Sequence, residues 1–498
     1  MNVNPITRLD YPDPDVIRVE DTYYMVSTTM HFMPGCEILQ SFDLVHWEHA
    51  TYVYETLDHT DAQQLKSGQN IYGQGMWAAS LRYHEGRFYI CFVANDTRKT
   101  YLYTSEKIDG PWKKQLIEGF YHDGSLLFDE DGRNYIVYGN DEIWITELNE
   151  DLTAPKKDGL HRLLVSDHKN PKLGYEGSHI QKINGYYYIF LIHSLRDRWM
   201  RTEACFCSDS LEGEFTGGDV LCDDRGYCGQ GVAQGGIVDT PDGKWYAMLF
   251  QDSGAVGRLP ILLPVTWKDH FPVFGQNGHV PEEIEVHSTR PGYIYQPLVG
   301  SDDFCNGLLP RWQFNHDPDP RYYHLDALQG TYTITTREVC TELTQAVNTL
   351  TQRMSYPSCA AEVTVDASAL KEGDVAGLCA FQGCYAAVGI TKHHGKYEVL
   401  MLDKKEDGIL DMTEGTVVES HQMDFRLEAD FCNMKDEARC YYRVNKGDWL
   451  PIGTVHKLYF KLDHFTGCRF GLFCYAAEET GGSACFRDFK YYDVDEIS

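Results

Sequence analysis

Positive charge is scarce in this chain. Lys and Arg together number 44 against 74 Asp and Glu, a formal net charge of −30. A surface that acidic repels phosphate backbones and anionic lipid, so neither nucleic acid nor membrane is expected as a partner. A small neutral ligand is compatible with it. No stretch reaches the roughly 18 uninterrupted apolar residues of a membrane span. The first ten residues carry neither a basic nor an apolar region, so no secretory leader is expected and the chain reads as cytoplasmic. No C-x-x-C pair occurs, which argues against a zinc or thioredoxin-like site. The 16 cysteines are scattered; in a reducing compartment they read as small buried apolar residues. The length suffices for two or three domains.

Aromatic residues are plentiful: 33 Tyr, 23 Phe and 9 Trp. They suit pleated, half-buried surfaces, which points to β structure. One pattern recurs five times: a short apolar strand, a polar turn, then an aromatic-rich strand. The copies begin at Pro12, Trp77, Asp123, Glu176 and Gln234. Four turns carry Gly86, Gly132, Gly185 and Gly243 where a hairpin needs positive φ; the first has Asp21-Thr22 instead. The second strands share Tyr24, Tyr89, Tyr135, Tyr188 and Tyr246. This spacing leaves room for about four short strands per repeat, the signature of propeller blades. The expectation is an all-β chain: a five-bladed β-propeller over 1–295, a linker over 296–303, and a second domain over 304–498.

The first strand of a propeller blade lines the central axis, so equivalent positions converge there. Counting back from each Tyr gives Asp13, Trp77, Asp123, Glu176 and Gln234. Three carboxylates and an indole would meet at one mouth. Singly, each has a plainer reading. Asp13 lies between Pro12 and Pro14 and suits a turn. Asp123 suits a strand-start cap, and Trp77 suits a core. Their shared register favours a common site. Crowded carboxylates push one another's proton affinity upward, so one stays protonated while another stays ionised. That pair is the minimum equipment for cleaving a glycosidic bond, by activated water or by direct attack.

The segment from Asn4 to Trp47 resembles the N-terminus of glycoside hydrolase family 43, the β-xylosidases, α-L-arabinofuranosidases and arabinanases. The resemblance continues through WAASLRYHEGRFY, HDGSLLFDEDGRNY, YEGSHIQKINGYYY and VDTPDGKWY. It implies a five-bladed propeller and single displacement by water, with inversion. It implies Asp13 as general base, Asp123 as the acid that tunes and orients, and Glu176 as general acid. Arg258 looks like the arginine that contacts the sugar. Many relatives place a His near an axial calcium at the start of the fifth blade. Gln234 stands there, so no cofactor is expected to be required. Aromatic residues line the pocket of related β-xylosidases; here Met30 and Phe32 occupy the Met30–Gly35 stretch.

From Phe304 the pattern changes to longer strands alternating at period two: YTITTRE, AAEVTVDA, KYEVLMLDK, FRLEADF, RCYYRV, KLYFKLD and CRFGLFCYA. These read as a β-sandwich, and the resemblance implies a concanavalin-like one. In such relatives a sandwich loop closes the propeller mouth. His464–Gly467 looks like that loop, with Phe465 contributing a ring. A capped mouth favours exo-action. The expected function is release of terminal β-1,4-xylosyl or α-L-arabinofuranosyl residues from small oligosaccharides; a homo-oligomer is compatible with it. Two alternatives are a non-catalytic carbohydrate-binding propeller and a fructosidase-type hydrolase. The second lacks its Trp-x-Asn-Asp-Pro-Asn, Arg-Asp-Pro and Glu-Cys motifs here.

Overall fold

The structure is a computed structural model that describes residues 3–493; residues 1–2 and 494–498, at the outer ends of the two expected domains, lie outside the described residues. Each repeat folds into one four-stranded antiparallel sheet, laid down in chain order from the axis outward. Their inner strands are Asp15–Val19, Met76–His84, Ser125–Phe128, Glu176–Ile183 and Val232–Asp239. Neighbouring inner strands pack against one another, and the fifth returns to the first, closing a ring of five blades. The shared tyrosines all lie on second strands. They sit opposite Ile17, Arg82, Leu127, Gln181 and Val238 of the inner strands. The four turn glycines have φ between +77° and +87°. In the first blade the positive φ of 56° falls on Glu20, immediately before the expected Asp21-Thr22 pair.

Among the described residues no strand is exchanged to close the ring. The N-terminal segment runs along the blade 5 strand Arg258–Lys268 instead. Asn4 Nδ2 donates to Leu262 O at 2.7 Å and Asn4 Oδ1 accepts from Leu262 N at 2.8 Å. The Ile6 and Tyr11 amides donate to Pro260 O and Arg258 O. Arg18 and Asp239 join the first and fifth inner strands at 2.5 Å.

The last propeller strand is Phe271–Phe274 and the first sandwich strand is Gln313–Asn315. Much of the intervening chain packs back on blade 1: Ile284 joins its apolar cluster, the Phe42 amide donates to Tyr295 Oη at 2.9 Å, and Arg290 pairs with Asp21 at 2.7 Å. The sandwich has a nine-stranded and a seven-stranded sheet. Its core, with Leu378, Val388, Phe425 and Leu427, is fully buried. One expected strand is absent: Lys457 ends the strand Leu450–Lys457, and 458–463 is loop. Phe460 there packs across the domain boundary, with the Arg258 guanidinium of blade 5 at 5.7 Å from its ring centre.

The two domains share a sheet. The short blade 1 strand Phe32–Met33 pairs with sandwich strand Gln313–Asn315. Beside it, Arg353 pairs with Glu37 at 2.8 Å and donates from Nε to Asp10 O at 2.9 Å. The Asp10 carboxylate accepts from the amides of Arg258 at 2.7 Å and Gly467 at 2.8 Å, tying blade 5 to the sandwich loop. Among the described residues no helix is long and apolar enough to cross a membrane.

Candidate active site

The mouth is shaped by irregular backbone. Three inner strands carry one extra residue near their start, after Met76, Glu176 and Ala233. Such bulges twist a strand and re-aim its side chains. Asp13, Asp123, Gly177 and Gln234 have φ of 53°, 47°, 63° and 59°. For non-glycine residues this left-handed conformation costs about 1–3 kcal/mol each and concentrates at working sites. Only glycine fits at 177: a Cβ there would stand 2.7 Å from the Gln234 side chain.

Asp13 is buried between two donors. Thr28 Oγ1 donates to its Oδ2 at 2.9 Å and Arg258 Nη1 to its Oδ1 at 2.7 Å. Arg258 Nε also faces Asp252 at 3.4 Å, and Asp252 accepts from Arg201 Nε at 2.7 Å. Arg258 and Asp252 sit opposite each other on neighbouring blade 5 strands, so the sheet register fixes their pairing. Burial works against the Asp252 charge, but Arg201 and Arg258 outweigh it and hold the carboxyl below its usual range.

Asp123 and Glu176 are linked through His122. The His122 Nε2 atom lies 3.5 Å from Asp123 Oδ2 and 3.5 Å from Glu176 Oε2, ion-pair rather than hydrogen-bond separations. Burial opposes a charged imidazole, yet the Asp123 and Glu176 carboxylates raise its pKa to about 9. Asp123 accepts from the Gly177 amide at 3.1 Å, while Asn140 Nδ2 donates to Glu176 Oε2 at 3.0 Å. Burial raises Asp123 to about 6, with His122 opposing and Glu176 and Asp13 adding to the rise. Burial would also raise Glu176, but His122, Arg201 and Arg258 hold it below the usual carboxylate range. The shifts of His122 and Glu176 both run in the direction that favours their charged forms.

A succession of rings and cations borders these acids. The Arg201 guanidinium carbon lies 5.4 Å from the Phe250 ring centre, and that of Arg258 lies 4.7 Å from the same ring. Arg258 is 4.5 Å from the Phe465 ring, Phe465 is 5.4 Å from Trp77, and Trp77 is 5.8 Å from His122. The sandwich loop thus touches the propeller mouth through Phe465. The Trp77 Nε1 donor is buried with no protein partner. Gln234 is buried, and its backbone N–H donates to Glu203 Oε2 at 2.7 Å.

Two expected pocket residues serve the framework. Met30 is buried, and its backbone exchanges two hydrogen bonds with Met76, setting blade 1 against the residue before Trp77. Phe32 is buried too, in the strand shared with the sandwich and in an apolar cluster with Leu343 and Phe381, under the Arg469 guanidinium at 3.4 Å.

Two donor sets deserve testing for a metal. On the axis, Asp15 Oδ2 accepts from Arg82 Nη1 and from the Leu81 amide, both at 2.7 Å, and Asp15 Oδ1 faces His179 Nδ1 at 3.0 Å. Arg82 also donates to Leu126 O, Leu81 O, Ser125 Oγ and Ile180 O, stitching blades 1 to 4 together. A divalent ion beside Asp15 would meet this guanidinium, so these residues do not fit an axial calcium. At the mouth, His122, Asp123 and Glu176 offer atoms within 4.8 Å of one another. There Asp123 Oδ2 and Glu176 Oε2, the oxygens nearest His122, already accept from the Gly177 amide and Asn140 Nδ2, donors that a metal would have to displace.

His122, Asn140, Arg201, Glu203 and Asp252 were not singled out from sequence. Most stand at the mouth ends of strands: Asn140 closes a blade 3 strand, Arg201 opens one in blade 4, and Asp252 closes one in blade 5. Charged or amide residues at those ends are the signal that could have found them. Glu203 is fully buried, and burial pushes its carboxyl well above the usual range.

Residues 3–272 match the model for glycosyl hydrolases family 43, and residues 301–492 match a β-xylosidase C-terminal concanavalin A-like domain. A solved Bacteroides eggerthii protein described as a bifunctional GH43-CE is 42% identical, with a TM-score of 0.92 over 99% of this chain; the chain spans 64% of that protein. A β-xylosidase from Formosa agariphila is 26% identical over 99% of this chain and 89% of its own length. A xylosidase/arabinosidase from Butyrivibrio fibrisolvens is 24% identical over 99% of both chains.

Proposed function

Because the chain belongs to glycosyl hydrolase family 43, we propose that it removes terminal β-1,4-xylosyl or α-L-arabinofuranosyl residues from small neutral oligosaccharides, with inversion. The observation that carries this reading is the meeting of Asp13, Asp123 and Glu176 at one mouth, with Arg258 facing Asp13 and His122 joining the other two. In this scheme Asp13 is the base. Arg258 and Thr28 each donate to one of its oxygens, which fixes the orientation of the carboxylate that is to receive the water's proton. Glu176 is the acid that protonates the departing oxygen. A bound sugar strips water from Glu176 and raises its proton affinity, drawing the proton held by His122. Asp123 orients Glu176 through the Gly177 amide and His122.

Exo-action is supported by Phe465, which reaches from the sandwich over the propeller mouth to Trp77 and Arg258. The names of the relatives support the two sugars, which present similar hydroxyl patterns. We propose also that no metal takes part and that the enzyme works in the cytoplasm, where short oligosaccharides are the available form. A purely sugar-binding propeller would need no set of convergent acids. The test is hydrolysis of 4-nitrophenyl β-xyloside and α-arabinofuranoside by the wild type, Asp13→Ala and Glu176→Ala. Cleavage by the wild type and a loss of at least about 100-fold in Asp13→Ala is the expected result. Variants as fast as the wild type would overturn the assignment.

A further inference from the structure

The border of rings and cations continues past the acids to a residue with no part in the scheme above. Trp199 is 49% exposed, unusual for an indole in a folded domain. It sits at the tip, residues 195–200, between the blade 4 strands Tyr186–Ser194 and Arg201–Ser208. Glu176 pairs with Ile192 on the first of these, two residues before its end. At roughly 3.3 Å per residue the tip begins about 10 Å beyond the level of Glu176. The tip is braced. The Leu195 amide donates to Met200 O at 3.0 Å, and Arg196 pairs with Asp167 and donates to Lys169 O. Asn170 Nδ2 reaches Ser194 O at 2.8 Å. The same 167–175 segment leads directly into Glu176.

The Arg201 guanidinium lies 5.5 Å from the Trp199 ring centre and is itself held by Asp252. One cation therefore faces the indole from the protein side, while about half the residue stays open to solvent. An exposed, braced indole is a platform for the apolar CH face of a pyranose. The leaving-group side of a glycosidic bond is the side on which the acid stands, and Trp199 rises from that blade.

We propose that Trp199 is the platform for the sugar ring on the leaving-group side of the cleaved bond. This rests on the reading of Glu176 as the acid and of an oligosaccharide as substrate. Trp199 thereby sets a preference for leaving groups that are themselves pyranoses.

The experiment compares xylobiose with β-xylosyl fluoride, whose leaving group has no ring, in the wild type, Trp199→Ala and Trp199→Phe. The ratio of kcat/KM for xylobiose over fluoride is expected to fall about threefold to tenfold in Trp199→Ala, through KM, and to recover largely in Trp199→Phe. An unchanged ratio overturns the proposal, whether the variant loses both activities together, as a merely structural role would cause, or neither. A wild type that cleaves the fluoride but not xylobiose also overturns it. A wild type that cleaves neither compound overturns the xylosyl reading itself, a distinct outcome.

Discussion

His122 and Glu176 face each other across 3.5 Å, from Nε2 to Oε2, at the junction of blades 3 and 4. A cation is thus built in beside the proposed acid, and it is set there by the residue that precedes Asp123 in the chain. Folding raises His122 from an ordinary 6.5 to about 9. The folded state binds this proton more tightly than the unfolded chain. The resulting stability is fully present below about pH 6.5 and is lost as pH rises through about 9. His122→Phe should lose several degrees of Tm at pH 6 and much less at pH 9.5, read by thermal unfolding across that window. A Tm difference independent of pH would contradict it.

Asp123 obeys the same sign over a lower window, because folding raises it from 3.8 to about 6. Its buried charge is a cost to stability once pH exceeds about 6. Asp123→Asn should therefore raise Tm at pH 7.5 and leave it nearly unchanged at pH 4, while kcat falls. A lower Tm at pH 7.5 would show that the His122 pairing outweighs burial.

Arg258 holds two buried carboxylates, Asp13 at 2.7 Å and Asp252 at 3.4 Å. Removing it leaves both facing an apolar wall with less countercharge. Arg258→Met should cost about 3–5 kcal/mol of stability, as breaking buried pairs does. Arg258→Lys should recover fold but not rate, since one ammonium cannot present a two-pronged planar donor. Denaturant unfolding and kcat/KM on an aryl xyloside separate the two effects. Full activity in the Lys variant would refute the orienting role.

Gly177 follows Glu176 and leans on Gln234. With φ of 63° and a would-be Cβ at 2.7 Å from the Gln234 side chain, Gly177→Ala has no strain-free solution. A shift of the backbone there moves the Glu176 carboxyl and the amide that Asp123 accepts. The expected result is a fall of at least about tenfold in kcat, with KM changed less, because a misplaced acid fails in the transition state. Steady-state kinetics on xylobiose read it directly.

The blade architecture was legible because each hairpin advertises itself twice, by a turn residue of positive φ and by a tyrosine on the returning strand. The axial acids were legible for the same reason: a fixed offset from those tyrosines carries them to one mouth. Asn140, Arg201, Glu203 and Asp252 come from second and third strands, where no repeat marks them. Arg201 and Asp252 acquire meaning only when strand register brings them beside Arg258. The KLYFKLD segment misled because it lies at the domain boundary, where an alternating apolar run packs as a loop. Local pattern does not carry that information, since the partner lies hundreds of residues away.

The most direct test is the configuration of the sugar first released. Proton NMR of xylobiose hydrolysis by the wild-type enzyme, followed before mutarotation, distinguishes the two anomers of the new reducing xylose. Asp13 acting as base on water, with Glu176 as acid, gives the α-anomer first. Initial appearance of the β-anomer would mean that a carboxylate attacks the sugar itself, and would contradict the roles assigned to both residues.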